Sequence, residues 1–366
     1  MGKQIEHFGW LVSPYSAKTR SYLKYKRIPF KDVEPNIFDF YTKIQKSVGR
    51  IIMPTLRLPD GTWLQDSSDI IDKMESAHPN RSITPDGTIQ TLVALLFELY
   101  GDEWLPMAAL HYRWNIPANE QFALKEFSRC ALPIIPAALG KLVIQSMAKK
   151  MQSYLPVLGV TKTTQPGVEK MVTRLIADLN THLSVHPFLL GGRPCIGDFA
   201  LFGPLWAHLY RDPGSTFLFD DAPHVVSWLE KLLDPTHVCG DFLANDEIPE
   251  TLLPLLKGIF DEQILWVAQL IGHINQWCHK NPDSKRVRGA VGVDNFSVGG
   301  IAGERKLATF VQWKAQRSIF FYQQSSESVR TQIDGWLESL QAAGALDIDI
   351  QFPLELRNFK AVITNR

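Results

Sequence analysis

The order of hydrophobic patterns in the first 79 residues limits the fold of this chain most strongly. Short apolar runs that predict strands alternate there with amphipathic segments that predict helices. In chain order, the clearest of these segments are HFGWLVS, YSAKTRSYLKYKR, FKDVEP, MPTLRL, TWLQD and SSDIIDKMES. Pro59-Asp60-Gly61 lies between the last two predicted strands and favours a tight turn. The order β-α-β-α-β-β-α therefore predicts a small α/β domain over residues 1–79.

The pattern becomes purely helical after a segment that is rich in turn-forming residues. That segment, HPNRSITPDGT, predicts a linker. From Asp86 to Leu233 the apolar residues recur at helical spacing, as in VEKMVTRLIADLNTHLSV, and no convincing strand pattern interrupts them. We therefore expect an all-helical second domain over residues 86–235.

Residues 240–366 predict a mostly helical extension. Helical patterns run through IPETLLPLLKGIFDEQILWVAQLIGHINQW, KLATFVQWKAQRSIFFYQ and SVRTQIDGWLESLQAAG. Between them, the glycine-rich RVRGAVGVDNFSVGGIAGE is compatible with either a hairpin or an ordered loop. Because the first of these segments is too apolar to stand in water, we expect the extension to pack on the helical domain.

Charge and cysteine content exclude several classes of function. The 38 basic residues balance the 38 acidic residues, so the chain lacks the positive field that nucleic acids and anionic membranes require. No apolar run reaches the roughly 18 residues of a membrane span, and MGKQIEHFGW lacks the apolar core of a signal peptide. The four cysteines include no CxxC pair and predict neither a disulfide framework nor a zinc site. We therefore expect a cytoplasmic protein without a metal, a nucleic-acid partner or a membrane partner.

A serine and a proline follow the first predicted strand, in the sequence Ser13-Pro14-Tyr15-Ser16. Serine is a preferred N-cap residue and proline suits the first helical position, so a structural cap alone explains the pair. The same geometry also suits chemistry, because a helix N-terminus attracts an anion and a hydroxyl there can donate to a thiolate. The motif by itself does not decide between the two interpretations, and the cap is the simpler one.

Two further motifs have the same double interpretation. The proline of Met53-Pro54 either is trans at the start of an edge strand or forms a cis bond that turns the Met53 backbone outward to pair with an extended ligand. Asp66 and Ser67 precede the helical pattern SDIIDKME, where both residue types are common caps. They also suit an amino-acid moiety, because the carboxylate can bind an ammonium and the hydroxyl with a backbone N–H can bind a carboxylate.

Together these motifs resemble the cytosolic glutathione transferase superfamily. The resemblance covers residues 1 to about 235 and rests on the element order, on SPYS, MP and QDSS at their positions in that order, and on the helical domain behind them. It implies a thioredoxin-like domain that binds glutathione and a helical domain that lines the pocket for an electrophile. The chain is most similar to serine-type members of a bacterial-type branch with a long C-terminal extension.

The resemblance also implies a role for each matching residue. Ser13 would stabilise the thiolate of glutathione, the main chain of Met53, before the cis-proline Pro54, would pair with the tripeptide, and Asp66 with Ser67 would bind the γ-glutamyl end. Related proteins with a cysteine in place of the first serine form mixed disulfides, which a hydroxyl cannot do. Glutathione is therefore expected as a co-substrate whose own thiol, with a free pKa near ~8.5, is activated for attack on a small electrophilic molecule.

Three more residues are expected at the electrophile pocket by the same resemblance, namely Tyr15, Trp104 and His111. The last two lie in GDEWLPMAALHYRW, on one helical face together with Ala108. A packed aromatic face opposite a solvated face also explains this segment, and it is the interpretation that we favour. If His111 faces the cleft, its imidazole can serve as an acid or a base.

Two features depart from the family pattern. The segment GGRPCIGDFALFG keeps the aspartate of a capping box, Asp198, but has Cys195 at the cap, so we expect this helix start to depend on the aspartate. The extension has no counterpart in an ordinary glutathione transferase. Two functions therefore stay open: a homodimeric transferase, favoured by an open apolar pocket beside Ser13, and a non-catalytic glutathione-binding sensor, carrier or scaffold, favoured by an extension folded across the cleft.

Overall fold

The computed structural model of the chain describes residues 4–135, 137–357 and 360–364. Its N-terminal part is built on a four-stranded sheet with the strand order β2-β1-β3-β4. The strands are β1 (Ile5–Phe8), β2 (Phe30–Val33), β3 (Thr55–Arg57) and β4 (Trp63–Gln65). Strand β1 is parallel to β2 and antiparallel to β3, which is antiparallel to β4. This mixed sheet confirms the predicted thioredoxin-like fold.

Helices connect these strands and bring the three motifs to one edge of the sheet. They are α1 (Pro14–Tyr25), α2 (Ile37–Asp39), a π-helical turn (Phe40–Ile44), α3 (Gln45–Val48) and α4 (Ser67–Ala77). Strands β1 and β4 point the same way, so the helices that follow them, α1 and α4, begin at the same edge. Thr55 pairs with Phe8 on one side and Gln65 on the other, which places the start of β3 at that edge too.

The second part of the chain is helical, and the structure describes no named strand between α4 and residue 235. Its α-helices are α5 (Thr88–Leu99), α6 (Pro106–Asn115), α7 (Pro117–Ala131), α8 (Ala137–Gln152), α9 (Tyr154–Val157), α10 (Gln165–Leu183), α11 (Ile196–Pro204) and α12 (Pro223–Leu233). The π-helical turns Tyr100–Trp104 and Leu205–Tyr210 extend α5 and α11. Helix α11 packs directly on α1, where a Cβ at Gly203 would lie 2.6 Å from the carbonyl oxygen of Pro14. This close approach joins the helical part to the helix that carries the SPYS motif.

The start of α11 depends on Asp198, as the sequence predicts. One carboxylate oxygen accepts the backbone N–H of Cys195 at 2.9 Å, and the other accepts the Leu189 N–H at 3.1 Å and the Trp228 indole N–H at 3.0 Å. Burial raises the pKa of Asp198 to about 6. The aspartate therefore ties the helix start to two neighbouring segments as well as capping it.

The C-terminal extension contains helices and two hairpins. Its elements are α13 (Leu253–Gly258), a π-helical turn (Ile259–Ile264), α14 (Leu265–Lys280), β5 (Ala290–Val298), β6 (Ile301–Ala308), α15 (Phe310–Gln323), α16 (Glu327–Ser339), β7 (Leu354–Arg357) and β8 (Lys360–Ile363). Short 3₁₀ turns precede α13 at Ala244–Asp246 and Glu250–Leu252, and two more lie in the helical part at Thr216–Phe219 and Pro235–His237. The glycine-rich segment is thus a hairpin, which turns at Gly299 and Gly300 with φ of 58° and 80°.

Two details of the extension differ from the sequence pattern. The sequence pattern predicts a helix from Lys306 onward, but Lys306 pairs with Val293 and Ala308 with Ala290, so residues 306–308 belong to β6. The β7–β8 hairpin was not predicted. Pairing with a partner strand overrides local helical periodicity, which is why a single-segment pattern misplaces such ends.

The extension packs against the helical part over a continuous apolar core. Val311, Ala315 and Ile319 of α15 are buried, and α15 lies against α5. Phe296 of β5 packs between the rings of Trp104 and Trp266, at centroid distances of 6.1 and 6.0 Å. The extension is therefore docked beside α4 and α5, close to the edge where the motifs meet.

Within the described ranges, every helix is too short or too polar to cross a bilayer.

Candidate functional site

The N-terminus of α1 carries a pair of hydrogen-bonded serines. The Ser13 side chain accepts the Ser16 backbone N–H at 3.3 Å and the Ser16 hydroxyl at 3.0 Å. Ser16 is fully buried, whereas Ser13 is half-buried. Neither bond uses the Ser13 hydroxyl proton. That proton is therefore free to be donated to an acceptor in front of the helix.

A buried arginine holds the segment that leads into this helix. Arg113 of α6 donates to the carbonyl oxygen of Val12 at 2.7 Å, immediately before Ser13. The same guanidinium binds both carboxylate oxygens of buried Asp212 at 2.7 Å. Because a bidentate buried pair fixes the plane of the guanidinium, the helical part determines where Ser13 stands.

The second motif lies where β3 begins. The Met53–Pro54 peptide bond is cis, as the family resemblance implies. Met53 is half-buried, Pro54 is buried, and the Met53 sulfur accepts the Trp10 backbone N–H at 3.4 Å. The next residue, Thr55, is buried, and its hydroxyl has no hydrogen-bond partner among the described residues.

The third motif caps α4. One carboxylate oxygen of Asp66 accepts the backbone N–H groups of Ser68 at 2.8 Å and Asp69 at 3.4 Å. Asp66 has a φ of 77°, a backbone conformation that residues other than glycine seldom adopt and that often marks ligand sites. Ser67 is 2% exposed, and its hydroxyl has no hydrogen-bond partner in the described part of the chain.

A lysine of the extension fills the space in front of Asp66. The Lys314 ammonium of α15 lies 2.9 Å from Asp66 Oδ1, 2.6 Å from Ser68 Oγ and 3.1 Å from Asp102 Oδ2. Its side chain is 3% exposed. Burial lowers the pKa of Lys314, but the carboxylates of Asp66 and Asp102 outweigh that effect, and the net shift is upward. The lysine is therefore charged, with three acceptors for its three N–H groups.

This contact belongs to a chain of alternating charges, which we call the charge relay of α15. In order, its members are Asp66, Lys314, Asp102, Lys18, Glu98, Arg317 and Asp72. Lys18 donates to Glu98 at 2.9 Å and to Asp102 at 2.7 Å, and Arg317 donates to Glu98 at 2.8 Å. Burial raises the pKa of Glu98, but the neighbouring cations, Arg317 first, bring it well below its ordinary value. The relay joins α1, α4, α5 and α15 in one network.

Two residues beside the relay have shifted pKa values. The Tyr15 hydroxyl donates to the Asp102 carbonyl oxygen at 2.8 Å, and burial, followed by the nearby Glu103 charge, raises the pKa of Tyr15 well above its ordinary value. Burial raises the pKa of Glu103 to about 8, so this carboxyl is largely protonated at neutral pH. Tyr15 therefore stands between the SPYS helix and the relay, and its role at an electrophile pocket stays a prediction.

The structure places the other two predicted pocket residues in packed surroundings. Trp104 is 1% exposed, with the guanidinium of Arg305 4.8 Å from its ring and Phe296 at its edge. His111 is 3% exposed, and its ring nitrogens contact Glu169 at 3.1 Å and Asn115 at 2.9 Å. These contacts agree with the packed aromatic face that we favour for the segment. No described hydrogen bond joins His111 to the SPYS, MP or QDSS motifs.

Comparison with known families matches two regions of the chain. A glutathione S-transferase N-terminal domain model matches residues 8–82, and a glutathione S-transferase C-terminal domain model matches residues 142–234. Residues 8–82 and 142–234 therefore carry the two domains of the glutathione S-transferase family. Both matched regions end before the extension, so Lys314 and Arg317 of the relay lie outside them.

Solved structures of similar fold include three bacterial proteins. A glutathione S-transferase from Xanthobacter autotrophicus is 20% identical, covering 65% of this chain and 97% of its own, with a TM-score of 0.37. One from Methylobacterium radiotolerans, in complex with glutathione sulfonate, is 17% identical, covering 67% and 100%, with a TM-score of 0.41. Beta-etherase LigF from Sphingobium is 18% identical, covering 63% and 94%, with a TM-score of 0.42. No curated protein matches the chain.

Apart from Asp66, the relay residues are those that sequence reasoning missed in this transferase-like chain. The pattern of KLATFVQWKAQRSIFFYQ predicts only a helix of the extension, yet Lys314 lies three residues after Val311 and beside Ala315, on the apolar side of α15. A basic residue on the apolar face of a helix requires a buried acidic partner. That signal indicates a buried ion pair but not which acid supplies it.

The structure describes no group of three or more histidine, cysteine, aspartate or glutamate side chains suited to a metal ion. In the extension, His273 binds Asp294 at 2.9 Å. His279 lies 2.6 Å from Gln351. Among the described residues, the polar groups near the motifs are hydroxyl, carboxyl, ammonium and guanidinium groups.

Proposed function

We propose that this protein binds a glutathione-type thiol at the N-terminus of α1 and adds its thiolate to a small electrophilic molecule. The Ser13 hydroxyl donates a hydrogen bond to the thiolate, the Met53 main chain pairs with the extended ligand, and Asp66 and Ser67 bind the end of the ligand that is far from its thiol. The family supports this class of reaction. Cytoplasmic localisation and a homodimer are parts of the same proposal, and the four free cysteines are compatible with a reducing compartment.

The observation that carries the proposal is the unused proton of Ser13. Because Ser16 donates to Ser13, the Ser13 hydroxyl is polarised toward donating its own proton outward. A thiol with a free pKa of ~8.5 needs a decrease of only one or two units, about 1.4 kcal/mol each, to form a substantial fraction of thiolate at neutral pH. One charge-assisted hydrogen bond and a helix N-terminus together supply that amount.

A second candidate function is favoured by Lys314. Its ammonium is already bound to Asp66, in the place where the ammonium of a γ-glutamyl group would pair. In addition, a cavity of about 580 Å³ is lined by α14 and residues 341–349 and not by the SPYS motif. These features support a non-catalytic binding protein, a sensor, carrier or scaffold, in which the extension has taken over part of the cleft.

The two candidates are separated by thiolate formation and turnover. We expect Ser13→Ala to keep thiol binding but to weaken the ultraviolet thiolate absorbance of the bound ligand at neutral pH and to slow conjugation of a general electrophile. Ser326→Ala is the matched control, because Ser326 also caps a helix, α16, through its side chain. Thiol binding without thiolate absorbance or turnover in the unaltered protein would favour the binding protein over the enzyme.

A further inference from the structure

The contacts of Lys314 limit the kind of ligand that this site accepts. Its ammonium has three acceptors within 3.1 Å, on Asp66, Ser68 and Asp102, which equals the number of protons that it can donate. The cation subsite in front of Asp66 is therefore complete without a ligand. A second ammonium placed there meets a like charge that burial leaves poorly screened.

Helix α15 is held in this position on both sides of the lysine. Arg317, one turn further along, donates to Glu98 at 2.8 Å and also binds Asp72. The side-chain amides of Gln312 and Gln316 donate to the carbonyl oxygens of Phe352 at 2.8 Å and Leu354 at 2.7 Å. Lys314 is thus a fixed part of the wall of the site.

One polar group next to Lys314 stays unsatisfied. The Ser67 hydroxyl is buried and has no hydrogen-bond partner among the described residues. It lies at the N-terminus of α4, an 11-residue helix, where the helix dipole favours an anion or a carbonyl oxygen. Among the described residues, this end of the site therefore already holds an ammonium but lacks an acceptor for the Ser67 hydroxyl.

We propose that Lys314 supplies the ammonium group of this site, and that the site binds a thiol whose far end carries a carboxylate or carbonyl oxygen but no ammonium. This inference rests on the proposed thiol function and narrows its substrate class. Lys314 thereby determines which thiols the site binds, since its ammonium replaces the ammonium that the ligand would otherwise supply.

The test compares glutathione with its des-amino analogue, in which hydrogen replaces the γ-glutamyl amino group, by titration calorimetry on the full-length protein. We expect the unaltered protein to bind the analogue at least as tightly as glutathione. Lys314→Met, which keeps the length of the side chain without its charge, should reverse this order and strengthen glutathione binding about tenfold.

Lys18→Met is the matched control. Lys18 is as deeply buried and binds Glu98 and Asp102, but no hydrogen bond joins it to Asp66 in the described structure. It should keep the ligand order of the unaltered protein. If the unaltered protein binds glutathione about tenfold more tightly than the analogue, the inference is wrong while the thiol function stands. If it binds neither thiol, both are wrong. The comparison of glutathione with its analogue on the unaltered protein tests the inference even if a variant does not fold.

Discussion

The two ends of the candidate cleft differ in what their polar groups bind. At the SPYS end, Ser13 is half-buried and keeps a proton for an outside acceptor. At the QDSS end, Asp66 is bound by Lys314, a residue of the chain's own extension. The difference shows that an added segment can change one end of a cleft while it leaves the other intact. Under the function that we propose, recognition of the ligand and activation of its thiol would be separable.

The largest expected effect comes from removing the extension. Deleting residues 249–366 removes α15, exposes the apolar face of α5 and leaves Glu98 and Asp102 with one cation, Lys18, in place of three. We expect the shortened chain to aggregate, since burial of each large side chain contributes ~1.5–3 kcal/mol. Size-exclusion chromatography measures this result. A soluble, dimeric and equally thermostable product would mean that the extension is an independent appendage. In that case the extension would not be the cause of the difference between the two ends of the cleft.

A single substitution tests the buried ion pairs. Lys314→Ala leaves Asp66 and Asp102 short of a cation, and we expect a loss of about 3–5 kcal/mol in the free energy of unfolding, measured with urea. The matched control is Lys73→Ala, because Lys73 also lies 2.9 Å from a carboxylate, that of Asp69, but is 53% exposed. Its loss should be about 0–1 kcal/mol. Equal losses for the two variants would contradict the structural importance of the relay.

The same variant allows chemical rescue at the Asp66 end. Ethylammonium should raise the melting temperature of Lys314→Ala and leave that of the unaltered protein unchanged, because only the variant has an empty cation subsite between two carboxylates. Thermal unfolding with ethylammonium, and with sodium at equal ionic strength, measures the difference. Identical shifts with the two cations would mean that the vacated space is not an ammonium subsite.

Glu103 predicts a pH dependence of stability near the cleft. Its pKa is raised to about 8 by burial, whereas an unfolded glutamate titrates near ~4.3, so the folded state retains a proton that the unfolded chain releases. Stability should therefore fall as the pH rises from about 4.5 to 8. Glu103→Gln should remove this fall and gain roughly 4 kcal/mol over the unaltered protein at pH 8, with no gain at pH 4.

Urea unfolding at the two pH values provides the measurement for Glu103. The exposed Glu230 supplies the control, since its replacement by glutamine should change the free energy of unfolding little at either pH. A gain that is equal at pH 4 and pH 8 would show that packing, and not ionisation, causes the effect.

The smallest expected effect concerns the two serines of the SPYS end. Ser13→Ala should raise the pKa of the bound thiol by about one unit, because the thiolate loses its hydrogen bond. Ser16→Ala should raise it by less, since Ser16 acts on the ligand only through Ser13. Titration of the thiolate absorbance in both variants provides the comparison. A larger shift for Ser16→Ala would place the activating hydroxyl one turn further into α1.

Much of the fold and the positions of the motifs were predictable from the sequence, because they depend on local interactions. Ser13 caps α1, Pro14 begins it, and Asp198 supports the start of α11, all through contacts between residues close in the chain. The element order of the first 79 residues likewise follows from short-range periodicity, and β1 and β4 bring the motifs to one edge because they run parallel. Local signals were thus sufficient to predict the cap at the SPYS end, while its position also depends on the distant contact between Arg113 and Val12.

The QDSS end was decided by the tertiary structure. Lys314 meets Asp66 across 248 positions, and Arg317 meets Glu98 across 219. No local pattern connects such pairs, since which acid neutralises a buried lysine depends on how α15 packs against α4 and α5. The sequence by itself determined which residues the family scaffold offers to a ligand. Only the packing of the extension decided that one of them, Asp66, is bound to the chain's own ammonium, because a buried charge requires a partner wherever the fold provides one.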